Sequence, residues 1–113
     1  MNPAIDYAHF SAVELRLGCI IKAQIFEKAH KPSYQIWADF GPTLGIKQTS
    51  AQVTELYTPE NLIGQKIVGC LNLGPKNISG FISEFLLLGF STQQGAITLI
   101  SPQHDAPLGS KLH

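Results

Sequence analysis

At 113 residues, 44% hydrophobic and 14% charged, the chain is long enough for one self-sufficient core, too apolar to be disordered and too short to suggest a second domain. Eight basic and eight acidic residues cancel to a formal net charge of zero, which excludes a generally polycationic nucleic-acid binder and leaves only a local basic patch to meet phosphates. Charged residues fall short of the roughly 25% usual in soluble domains, so part of the surface is expected to be covered by a partner, a second copy of the chain being the simplest.

The first ten residues, MNPAIDYAHF, lack a basic start followed by an apolar run, and no apolar stretch approaches about 18 residues. A soluble, cytoplasmic protein without membrane insertion is the expectation. Ser11 to Glu14 mimics a helix capping box, but the strand pattern that begins at once afterwards limits any helix here to a single turn. Leu15, Leu17, Cys19, Ile21, Ala23 and Ile25 then alternate with Arg16, Gly18, Lys22 and Gln24, which reads as one long strand with a bulge or bend at Gly18. Cys19 and Cys70 both lie in apolar runs and are read as buried small hydrophobes rather than a disulfide or redox pair.

The stretch EKAHKPS breaks the pattern, with Pro32 fixing an extended entry to a second strand from Tyr34 to Gly41. Tyr34, Ile36, Ala38 and Phe40 share one face of it. Trp37 falls on the other face with Gln35 and Asp39, either as an interface or satellite-core residue or as a stacking surface for a ligand. GPTLG leads into a third strand, GIKQTS. Thr58, Pro59 and Gly64 supply the N-cap, first position and stop of a short helix. Lys66 to Leu73 reads as a fourth strand, and residues 84–89 with 96–100 as a closing hairpin. This order is that of an all-β OB-fold, a five-stranded Greek-key barrel with a short helix. The terminal SPQHDAPLGSKLH reads as an extended arm that either dangles or packs on a partner.

Four histidines without shared-face spacing and no Cys-x-x-Cys argue against a metal. No nucleophile elbow, phosphate loop or obvious carboxylate pair is evident, so neither a cofactor nor catalysis is expected. On an OB-fold the binding surface is the face of strands two and three with the adjoining loops, which here would carry Trp37, Lys47, Thr49 and Ser50. Asn72, Lys76, Asn77 and Ser83 follow at the end of strand four and in the next turn, either as ligand contacts or as turn-stabilising groups. Lys22, Lys28, His30, Lys31, Lys47 and Lys76 could form the basic patch, or be scattered solvated charges.

The blocks KPSYQIWADFG, GIKQTSAQVT, YTPENLIGQKIVGCLNLGPKNISGFISEFLLLGF and PLGSKL resemble the CsaA family, small proteins built on the tRNA-binding domain also found beside aminoacyl-tRNA synthetases. The resemblance implies an OB-fold homodimer that binds tRNA and serves as an export chaperone, with unfolded preproteins and the export machinery as partners. An alternative is a subunit docking on a synthetase. In the wider family a polar site follows strand four, and Asn72, Pro75, Lys76, Gly80 and Ser83 match its pattern, while Phe85 and Leu86 replace a Gly-Met pair. A tRNA site of Lys47, Ser50, Asn72, Lys76 and Ser83 is therefore expected, with Trp37, Phe81 and Phe85 lining a peptide groove. Tyr7, Phe10, Pro107 and Leu108 would be dimer arms by the same resemblance.

Overall fold

A computed structural model describes residues 1–113. Its centre is a five-stranded antiparallel sheet in the order β3-β2-β1-β4-β7, from β1 (Leu15–Ile25), β2 (Tyr34–Asp39), β3 (Ile46–Ala51), β4 (Lys66–Cys70) and β7 (Leu86–Leu87). Strand β1 carries the fold because it pairs with β4 through Leu15 to Cys19 and with β2 from Cys19 to Ile25. The sheet curls until β3 meets the far end: the Thr49 hydroxyl donates to the Phe85 carbonyl at 2.6 Å, and the Gln48 backbone exchanges bonds with Glu84. The barrel is the OB-fold expected.

Gly18 has a different role from the bend anticipated for it. The register shift lies between Ile20 and Lys22, whereas a Cβ on Gly18 would lie 2.7 Å from the Phe40 ring. Gly69 on β4 is equally confined, 2.8 Å from Phe85 and 2.9 Å from Phe40. Two glycines thus make room for Phe40 and Phe85, packed edge to face with centroids 5.0 Å apart. Ile20, Ile36, Leu62 and Ile67 complete a core closed to solvent.

Helix α1 (Tyr7–Ala12) precedes the barrel, and a second short helix, α2 (Gly41–Leu44), sits in the β2–β3 connection. The six residues of α1 exceed the single turn expected. Helix α3 (Pro59–Leu62) has the predicted start, with the Thr58 side chain accepting from the Asn61 amide and Asn61 returning the bond. The predicted fourth strand stops at Cys70. The first strand of the closing hairpin lies further along than the expected 84–89: β8 (Gly89–Ser91) pairs with β9 (Ile97–Leu99) as its own two-stranded sheet.

The C-terminal arm does not dangle. It pairs with the free edge of β1: the Leu17 amide donates to the Ser110 carbonyl at 3.0 Å, Gly109 to Leu17 at 2.8 Å, and Leu112 to Leu15 at 2.8 Å. Glu14 ties this clasp together, accepting from Arg16 at 2.6 Å and from Lys111 at 3.2 Å. Those hydrogen bonds, the Arg16 one foremost, hold the Glu14 carboxyl below the ordinary carboxylate range. No helix is long and apolar enough to cross a membrane.

Candidate nucleic-acid interface

Between β4 and β7 the chain leaves the barrel to make a second hairpin, β5 (Lys76–Ile78) and β6 (Phe81–Ser83). Its loop is the two residues Ser79 and Gly80, both at positive φ (49° and 88°), the arrangement whose twist suits a two-residue hairpin. The Asn77 side chain accepts from the Gly80 amide at 2.8 Å and so braces the turn. In OB-fold terms this is the connection between the fourth and fifth barrel strands, and it stands beside the β1–β2 loop.

An open cleft of about 1000 Å³ runs between these two connections. Its polar lining includes His30 and Lys31 from the β1–β2 loop, Ser50 from β3, and Lys76, Ser79 and Ser83 from the hairpin. Leu73, Pro75, Ile78 and Leu86 add apolar wall. No Asp or Glu is among the lining residues, so in a chain of zero net charge the cleft itself is cationic.

Three expected tRNA-site residues, Ser50, Lys76 and Ser83, therefore come together. The Thr49 hydroxyl already donates to Phe85, so Ser83 is the donor in the 2.8 Å contact between Thr49 and Ser83, and its oxygen accepts from the Ser50 amide at 3.3 Å. Ser83 shapes the cleft floor through these bonds. Lys47 lies on β3 opposite Ala38 and does not line the cleft. Asn72 is committed elsewhere, donating to the Ala12 carbonyl at 2.8 Å and accepting from the Glu14 amide at 2.9 Å, which ties the end of α1 and Glu14 to the end of β4.

The expected peptide residues separate in the same way. Phe85 borders the cleft but is 5% exposed, and its ring packs edge to face on Phe40 in the barrel interior. Trp37 and Phe81 are half-buried and touch each other on the outer side of the sheet, away from the cleft. Of the proposed dimer arms, Tyr7 and Pro107 are exposed, while Phe10 and Leu108 are half-buried. Gln48 was not singled out by sequence; only its register opposite Trp37 reveals it. No cluster of three or more His, Cys, Asp or Glu side chains is present.

A curled five-stranded barrel with a cationic cleft between its first and last connections is an OB-fold domain of the oligonucleotide-binding kind. The family model described as "Putative tRNA binding domain" matches residues 15–111, and the chain belongs to that family, in its CsaA branch. Over its length it is similar to the chaperone CsaA of Bacillus anthracis strain Ames, with 40% identity, a TM-score of 0.91, and coverage of 98% of this chain and 100% of that one. The CsaA chaperone of Picrophilus torridus is 39% identical with a TM-score of 0.90, covering 97% and 100% respectively. The methionine–tRNA ligase of Chlorobium phaeovibrioides is 32% identical over 111 residues, 98% of this chain, and the chain spans 15% of that ligase's length.

Proposed function

We propose that this protein is a non-catalytic tRNA-binding module of the CsaA type that works as a cytoplasmic homodimer and takes RNA in the cleft between the β1–β2 loop and the β5–β6 hairpin. One observation carries the reading: His30, Lys31 and Lys76 face a cleft without a carboxylate in an otherwise neutral chain. Phosphates would meet these cations while the apolar wall meets base faces, a combination suited to single-stranded segments. Titrating tRNA across a salt series tests it. Saturable binding that weakens steeply with salt, and weakens further in Lys76→Glu, is the expected result; a Lys76→Glu protein that binds like its parent would remove the cleft from the account.

A second reading is the export chaperone, supported by the likeness to CsaA and by Leu73, Leu86 and Phe90, which are 67%, 52% and 67% exposed. Leu73 and Leu86 line the same cleft, so an unfolded preprotein would contact its apolar wall and compete with tRNA. Protection of a denatured client that excess tRNA leaves unaltered would separate the two sites. Docking on a synthetase, or on the export machinery, would instead appear as a stoichiometric partner on purification from cells.

A further inference from the structure

The β5–β6 hairpin carries Lys76 yet lies outside the main sheet, and neither of its strands contains a buried residue. Something must fix its distance from the β1–β2 loop. On the side of the hairpin away from the cleft, Phe81 packs edge-on against two rings. Its centroid is 5.5 Å from Phe26, at the start of the β1–β2 loop, and 5.7 Å from Trp37, in the middle of β2. Phe26 belongs to the connection that holds His30 and Lys31, so Phe81 links both walls of the cleft to each other and to the sheet.

A polar relay runs alongside. The Trp37 indole N–H donates to Gln48 Oε1 at 3.1 Å, which turns the Gln48 Nε2 to donate to the Ile82 carbonyl at 2.9 Å. Lys22 Nζ lies 4.7 Å over the Trp37 ring, so that ring already holds a cation. Trp37 is thereby engaged on its N–H, by an aromatic neighbour and by an ammonium, which is the arrangement of a support rather than of an open stacking platform.

We infer that Trp37, Phe81 and Gln48 are positioning residues that set the width of the RNA cleft from behind by anchoring the hairpin to the sheet and to the β1–β2 loop. The inference rests on the tRNA reading above for its functional half. The anchor itself is independent of any ligand.

The test compares the full-length parent with Trp37→Ala, Trp37→Phe and Gln48→Ala, all well below their melting temperatures. Amide exchange is followed in residues 76–83 and in β1, and tRNA binding across a salt series. Trp37→Ala should speed exchange in 76–83 by about tenfold or more while β1 keeps its protection, and should weaken tRNA binding by about tenfold at an unchanged salt slope, because no phosphate contact is lost. Trp37→Phe, which keeps a ring against Phe81, should recover most of both effects. Gln48→Ala should show a smaller version of each. Unchanged exchange in 76–83 in both Trp37→Ala and Gln48→Ala would overturn the anchor. Weaker tRNA binding in Trp37→Ala with exchange in 76–83 unchanged would overturn it in favour of direct RNA contact. If the parent fails to bind tRNA, the functional reading falls, and the exchange result still decides whether the anchor exists.

Discussion

Phe85 and Phe81 stand four residues apart and are held in opposite ways. Phe85 lies in a slot that Gly18 and Gly69 leave open for it and for Phe40, a fit in which a single added carbon would come within 3 Å of a ring. Phe81 lies half-exposed between two rings, next to a strand secured by side-chain amides and hydroxyls. The barrel is kept by burial, which is non-directional and cooperative. The hairpin is kept by a few directional contacts, which can be altered one at a time. Substitutions in the first region should therefore be read in global stability, and those in the second in binding.

The strongest challenge to this division is Phe40→Ala, expected to cost about 3–5 kcal/mol in urea unfolding because the ring is 1% exposed and its loss opens a cavity. A cost under about 1 kcal/mol would mean that the slot collapses freely. Gly69→Ala should cost about 1–3 kcal/mol by overpacking against Phe85 and Phe40. Lys76→Glu belongs to the other region: it should leave the unfolding free energy within about 0.5 kcal/mol of the parent, while lowering the tRNA salt slope by about one phosphate contact. A loss of stability comparable to that of Gly69→Ala would erase the distinction. Thr58→Ala, which removes the α3 cap, is expected to cost about 1 kcal/mol without altering tRNA affinity.

The smallest expected effect concerns the clasp. Glu14 titrates below its ordinary value of 4.5 in the folded chain, chiefly through the Arg16 hydrogen bond and then that of Lys111. A carboxyl with a depressed folded pKa stabilises fully above its unfolded value and loses that contribution as pH falls through the lower folded one. Glu14→Gln should thus melt below the parent at neutral pH, and the two curves should converge once pH drops well beneath 4.5. A gap that persists in acid would show that the clasp does not depend on this charge.

The extent of the strand from Leu15 to Ile25, the inward face Tyr34, Ile36, Ala38 and Phe40, and the Thr58 cap were legible because each is a local pattern with a period or a capping rule behind it, but the alternation of β1 breaks at its register shift, which buries Ile20 and exposes Ile21 and Ile25. The β5–β6 hairpin was missed because its strands are three residues each, too short for a period to show, and its turn uses Ser79 at positive φ where Asn or Gly would have announced it. Site residues divide along the same line. Lys76, Ser83 and Asn72 were singled out by their place in a motif; the first two line the cleft, whereas the Asn72 amide ties the end of α1 and Glu14 to the end of β4. That His30 and Lys31 face Lys76 across a cleft, and that Gln48 meets both Trp37 and Ile82, depends on register and long-range packing, which a single sequence does not encode in any readable period.

The pairing of residues 109–112 with the edge of β1 has a bearing on how the molecule is made. Strand β1 organises both halves of the barrel, yet one of its own edges is completed by residues nearly a hundred positions later. During synthesis that edge stays unpaired until residues 109–112 have left the ribosome. The edge of β1 is thus completed by a contact of very high sequence separation, the kind whose loop-closure entropy is met late in folding.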